Sequence, residues 1–166
     1  VLSANERDAK LDKLFMELKT NITSSSPMIA QQIWSLWSTH PTDEKLTSIL
    51  DEGSRLVQDR QLARAINVFT EVIKLDPTWA EAWNKRATVF YMVGEFDKSQ
   101  DDIDKVLELE KRHFGALAGQ GMVNIQLKNY DKAKRSYQKV QEIYPAMKST
   151  KVMIEQIEEL IKRQSI

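Results

Sequence analysis

At 166 residues the chain is long enough for one domain, and its 42% apolar content is enough for a sizeable core. It carries 24 Lys and Arg against 24 Asp and Glu, so the balance gives no basic excess of the kind nucleic acid attracts. It has no cysteine, which excludes disulfides and thiolate metal sites, and no apolar run near the ~20 residues of a membrane span.

Ser3 and Glu6 have capping-box spacing and open a first helix that runs to about residue 19. Leu11, Leu14, Phe15 and Leu18 share one face of it. The loop that follows contains Asn21-Ile22-Thr23, which matches the glycosylation-acceptor triplet. Ser26 with Pro27 reads as the cap of a second helix, striped by Ala30, Ile33, Trp34 and Trp37 and ended by His40-Pro41. Thr42 starts a third helix, with Asp43 and Glu44 in its first turn, running to about 58. A partner helix spans about 60–75. Thr78 and Glu81 repeat the capping-box spacing, and Trp79, Trp83, Ala87 and Phe90 line the inner face of the helix they open. Gly94 ends it as a left-handed cap. Phe96, Ile103 and Val106 stripe the next helix. A further hairpin starts near 112 and turns at Lys128-Asn129. After Pro145 a last helix runs to about 162, with Met153, Ile154, Ile157, Leu160 and Ile161 opposite Glu155, Glu158, Glu159 and Lys162. One polar face suits it as a lid on the exposed end of a stack.

The middle of the chain is periodic. Gly53, Ala87 and Gly121 stand 34 residues apart and are all small, which lets neighbouring helices approach closely. Ala65, Ser99 and Ala133 keep the same spacing, as do Phe69, Ile103 and Tyr137, and the identical Val72, Val106 and Val140. Ile49, Trp83 and Leu117 place a bulky residue early in each unit, and Pro77, Lys111 and Pro145 close them. This period predicts an all-α helical-hairpin solenoid with units at 46–77, 80–111 and 114–145.

In this order of bulky, small, aromatic, small, aromatic and proline the chain resembles tetratricopeptide-repeat (TPR) proteins. Leu56 and Asn124, where an aromatic is usual (Phe90 fits), and Lys111 for proline are departures. The resemblance implies a right-handed superhelix of three clear repeats, an N-terminal helix pair at 1–41 and a C-terminal capping helix at 146–164. The pair resembles a degenerate fourth repeat, with Ala30 and Trp34 in the roles of Ala65 and Phe69, expected to cover the exposed end of the first clear unit. The stretches LDKLF, IWSLW, AEAWNKRAT and KRHFGALAGQG are similar to small bacterial TPR proteins made with a signal peptide. With a chain that opens on valine, this gives periplasm or cell envelope as the expected compartment, a trimmed cytoplasmic protein being the alternative.

Converging catalytic groups are not found. His40 and His113 each sit beside a helix end, where His commonly caps, and no further ligands suggest a metal or cofactor. Asp101, Asp102 and Asp104 read as a solvated face. Gly115, Gly119 and Gly121 fall on a helix and read as packing glycines, with no strand before them to make a phosphate loop. No catalytic residue is assigned, and the expected protein is not an enzyme.

The resemblance implies that the first helix of each unit lines a concave groove. That groove would receive Thr47, Leu50, Asp51 and Ser54 from the first unit. The second supplies Glu81, Asn84, Lys85, Thr88 and Tyr91, and the third Gly115, Ala118, Gly119, Met122 and Ile125. An unidentified protein or peptide would lie there, as an extended segment or a helix with an apolar side. The other occupant considered is the chain itself, its N-terminal helices or its lid partly filling the groove. A self-associating structural protein of the envelope, forming a homo-oligomer, is the alternative function. The clamp with which some TPR proteins hold a chaperone's C-terminal carboxylate needs cationic donors, and the matching positions hold Leu50, Ser54, Gly115 and Gly119. Glu52, Arg86 and Gln120 occupy one phase where leucine is usual, and are expected to form a polar ladder between repeats, with Glu52 near Arg86.

Overall fold

The computed structural model describes residues 2–20 and 24–166, so Val1 and the Asn21-Ile22-Thr23 triplet lie outside the described residues. Nine α-helices make up the described chain: α1 Ala4–Thr20, α2 Ser26–Ser38, α3 Glu44–Gln58, α4 Leu62–Leu75, α5 Ala80–Met92, α6 Phe96–Leu109, α7 Phe114–Gln126, α8 Tyr130–Ile143 and α9 Lys148–Gln164. Helices α3 to α8 pair into three successive hairpins, each packed on the next, and α9 closes the end on α8. This is the helical-hairpin solenoid that the 34-residue period predicts.

The periodic positions show why the hairpins stack. The Phe69 ring packs directly against Gly53, and the Tyr137 ring against Gly121, so close that a Cβ at either glycine would clash with the ring atoms. In the middle unit Ala87 shares a core with the narrower Ile103. Small faces large in each hairpin, and where the small residue grows by a methyl group the large one loses its ring. Each hairpin turns through one left-handed residue at the same phase: Arg60 (φ 60°), Gly94 (φ 80°) and Lys128 (φ 59°). Only Gly94 was legible as such, because only glycine advertises a positive φ. Ile154 and Ile157 of α9 pack on Ala133 and Tyr137, closing the last unit.

Several helix starts differ from expectation. Ser3 and Glu6 do form a reciprocal cap, with Ser3 N–H donating to Glu6 at 2.8 Å and Glu6 N–H to Ser3 Oγ at 3.2 Å. The cap of α2 is Ser25, with Ser26 already helical. Asp43, not Thr42, caps α3 by accepting the Lys45 N–H at 2.9 Å. Thr78 does not cap α5; its hydroxyl donates to Asp76 at 2.6 Å, and Trp79 occupies the cap position. There Glu81 is drawn inward by a stronger partner, described below.

The largest departure concerns α1 and α2. They do not stack on the first repeat as a fourth unit. Leu11, Leu14, Phe15, Leu18, Ile29, Ile33 and Trp37 form a core with Phe114 and Leu117 of α7 and Val140 of α8, and that core holds no residue of α3 or α4. The chain therefore doubles back, and its first two helices lie across the inner face of the third unit. The reason is aromatic surface: Phe15, Trp34 and Trp37 find Phe114, with ring centroids 5.2–6.3 Å apart.

Candidate functional site

Helices α3, α5 and α7 lie side by side on the concave face, and α2 packs on the N-terminal parts of α5 and α7, with Trp34 reaching the edge of the hollow between α3 and α5. That divides the face into a covered end and an open end.

At the covered end, His113 stands just before α7 and caps it, its Nδ1 accepting the Ala116 N–H at 3.0 Å. A backbone N–H can only donate, so the ring proton sits on Nε2, which donates to Glu81 Oε2 at 3.1 Å. Both side chains are fully buried. Asn84 completes the carboxylate's shell by donating to Glu81 Oε1 at 3.0 Å. The Trp37 indole stacks on His113 with centroids 3.9 Å apart and planes 10° from parallel. Trp34 meets His113 edge-on and rests its ring tip on Gly115, where a Cβ would collide with it. The Trp79 indole N–H donates to Trp37 O at 2.9 Å, and Arg7 donates to Leu36 O at 2.9 Å. Burial pushes the Arg7 guanidinium below its ordinary range, although Asp8 and Glu110 oppose the shift. At the rim, Arg112 lies 4.3 Å from the centroid of the Phe15 ring and donates to Asp12 at 2.8 Å and Glu110 at 3.0 Å. Burial lowers the Arg112 pKa, but these carboxylates outweigh it and hold it above the ordinary value. His40 repeats the His113 arrangement at the α2–α3 link. Its Nδ1 accepts the Thr42 and Asp43 N–H groups, leaving Nε2 to donate to Asp76 at 2.6 Å. Burial raises the Asp76 carboxyl, yet its bonds from Thr78 and His40 bring it below the usual value.

At the open end two hollows flank α5. One, of about 190 Å³, is lined by Thr88, Tyr91, Gly119 and Met122 with Ile103 and Ala118 at its floor. The other, of about 300 Å³, lies between Ser54 and Val57 of α3 and Lys85 and Thr88 of α5, with Trp34 at one edge. Thr88 and Met122 are exposed, and Ser54, Lys85, Tyr91 and Ile125 are half-buried. These residues are the part of the expected groove that the structure brings together on accessible surface. Leu50 is not among them; it is 1% exposed, in the core of the first hairpin. Glu81 and Asn84 are consumed by the His113 network, Gly115 lies under Trp34, and Ala118 is half-buried beneath the N-terminal helices. Thr47 accepts the His40 N–H, and Asp51 faces solvent.

The polar ladder takes a different form from the one expected. Arg86 does not meet Glu52. It makes a bidentate pair with Asp102, both bonds 2.8 Å, donates to Thr70 at 3.2 Å, and lies near the rings of Trp83 and Phe90. Gln120 donates to Ser136 at 2.8 Å and accepts from Gln100 at 2.9 Å. Arg86–Asp102 and Gln120–Ser136 are the same pair of positions in successive hairpins. In the first hairpin the partner position holds Val68, so Glu52 turns to solvent. Asp102 is thus buried rather than part of a solvated acidic face; burial raises its pKa, and Arg86 opposes the shift. Trp34, Trp37 and Asp102 are the participants that sequence reasoning did not place. The signal for the first two was Gly115, a helical glycine where the other units hold Thr47 and Glu81.

Among the described residues no group of three or more His, Asp or Glu could hold a metal ion, and no helix is long and apolar enough to cross a membrane. Residues 115–147 match the family profile described as "Tetratricopeptide repeat". A TPR repeat-containing protein of Rhizobium etli is 28% identical over 151 residues, covering 90% of this chain and 74% of the relative. Human sperm-associated antigen 1 is 26% identical over 121 residues, 72% of this chain but only 13% of that much longer protein. Among solved structures, the first TPR of Spaghetti (RPAP3) bound to HSP90 peptide SRMEEVD aligns with a TM-score of 0.70 at 18% identity, covering 72% of this chain and 94% of that one. With a matched repeat at 115–147 and two more hairpins in register before it, the chain is similar to tetratricopeptide-repeat proteins and shares their helical-hairpin fold.

Proposed function

We propose that the protein is a non-catalytic interaction module that binds an extended peptide segment along the open end of its concave face. The observation that carries this is the strip of Thr88, Tyr91, Gly119 and Met122. It presents accessible apolar surface over a hollow of about 190 Å³ on a face whose other end is covered by the chain's own helices. Met122 is 41% exposed on a helix that buries Leu117 and Val123. The likeness to a TPR domain bound to an HSP90 peptide supports peptide capture on this kind of face.

The peptide expected here is not that acidic one. Leu50 is in the core, Gly115 is covered, and Ser54 and Gly119 carry no positive charge, leaving Lys85 as the strip's cation. A peptide with apolar side chains at alternate positions suits Tyr91 and Met122.

Selection from a random peptide library against the full chain, followed by anisotropy titration of the enriched sequences, tests the reading. Enriched peptides should carry apolar residues and lose at least about ten-fold in affinity on Tyr91→Ala/Met122→Ala, each truncated contact contributing on the order of 1 kcal/mol. Equal binding by the double variant at unchanged molar mass would sink it. A change in the molar mass of the double variant would instead point to self-association through this strip.

A further inference from the structure

Helix α2 is seated on α5 and α7 as a separate ligand helix would be. We propose that the N-terminal ends of α5 and α7 form a second docking site, for an amphipathic helix carrying two aromatic residues three positions apart, and that α2 occupies this site in cis until such a helix displaces it.

Three observations carry this. The seat is shaped to its occupant: Gly115 has no side chain where Trp34 lies, and the ring of His113 is held flat under Trp37 by bonds to Ala116 N–H and Glu81. Elsewhere in the solenoid the same position is filled by Thr47 or Glu81, so the cavity for a bulky guest exists in one unit only. The occupant is also separable. The core of α1 and α2 takes in residues of α7 and α8 but none of α3 or α4, and residues 39–43 are the covalent link to the next helix. Polar ties between the pair and the solenoid include Trp37 O to Trp79, Asp12 to Arg112, Arg7 facing Glu110, and the His40 link. Finally, the fit in cis is incomplete. Trp37 is 4% exposed, and its indole N–H finds no acceptor among the described residues. A buried donor left unpaired is a cost that a partner helix with phenylalanine there, or with its own acceptor, does not carry.

A tethered helix competes at an effective concentration on the order of millimolar, so the free site is masked in the intact chain. Weakening the tethered copy should unmask it. The probe is a fluorescein-labelled synthetic peptide of residues 24–40, titrated into the full-length chain. Trp34→Ala in the chain leaves the Gly115 seat intact but empties it. This variant should bind the probe at least about ten-fold more tightly than the unmodified chain. A probe carrying the same Trp34→Ala change should not bind, and adding Gly115→Val to the chain variant should abolish uptake. A second measurement needs no variant: amides of α1 and α2 should exchange with deuterium through an opening that leaves α4 and α6 protected. The proposal is overturned by equal probe affinity for variant and unmodified chain, by indifference to Gly115→Val, or by exchange of α1 and α2 only together with α4 and α6. Dimerisation of the Trp34→Ala chain without probe uptake also overturns it, since the occupant would then be a second copy. Tyr91→Ala/Met122→Ala, at the other end of the same helices, should leave probe binding unchanged, so the two sites fail independently.

Discussion

The two ends of the concave face are built on the same three helices and could hardly differ more. At the covered end the charged and imidazole groups are held by their neighbours: Glu81 by His113 and Asn84, and His113 by Ala116, with Trp37 stacked on its ring and Trp34 edge-on to it. At the open end, Thr88 and Met122 face solvent, and the surface has room but no fixed partner. Repeats that are equivalent in backbone are made different by two or three side chains per helix. In a solenoid the scaffold and the specificity reside in separate residues, so one can be altered without the other.

The contrast can be broken at its most loaded point. Trp37→Ala removes the ring stacked on His113 and should cost about 3–5 kcal/mol in urea unfolding. Deuterium exchange should show the loss concentrated in α1 and α2; uniform loss across α3 to α9 would mean the two ends are not separable. Next, Arg86→Ala leaves the Asp102 carboxylate buried without its cation and should cost roughly 3 kcal/mol, with the damage confined to the hairpin of α5 and α6. A smaller effect follows from Tyr137. Burial moves its hydroxyl from 10.0 up to about 12, with Tyr91 adding to the shift. The fold holds the neutral form, so this contribution is whole below pH ~10, where the unfolded tyrosine ionises, and is lost as pH rises toward the folded value. Stability measured between pH 9 and pH 11 should fall, and Tyr137→Phe should flatten that fall. Smallest of all, Met122→Ala at the open end should change stability by no more than about 0.5 kcal/mol. A loss above about 1.5 kcal/mol would mean that Met122 is structural rather than available.

The solenoid was legible because its information is repeated. Gly53 with Phe69 and Gly121 with Tyr137 are the same pair of positions in different units, and three copies of a pattern outweigh the noise in any one. The position of α1 and α2 was not legible, because it is written once. Ala30 and Trp34 mimic the small-then-aromatic spacing of a repeat, which favoured stacking on the first unit. The contrary sign, a glycine at 115 opposite a helix with two tryptophans, is a hole and a knob 81 residues apart, as the difference between Trp34 and Gly115 gives. Nothing in a local pattern joins them. Asp102 was misjudged for a related reason: beside Asp101 and Asp104 it reads as one of a charged group, and only the hairpin turns it toward Arg86. Within the expected groove, Thr88 and Met122 are exposed, whereas Leu50, assigned there from its phase, is buried in the core of the first hairpin.

The bond from Arg112 to Asp12 spans 100 positions of sequence. A stack of hairpins ordinarily matures from neighbour to neighbour, each new pair docking on the one just finished. Here α1 and α2 have their apolar faces matched to α7 and α8, which are synthesised after the whole of α3 to α6. Until those arrive, Phe15, Trp34 and Trp37 have no permanent shelter. At a synthesis rate of ~5–20 residues per second that interval lasts on the order of ten seconds, during which these aromatic faces are the nascent chain's exposed apolar surface.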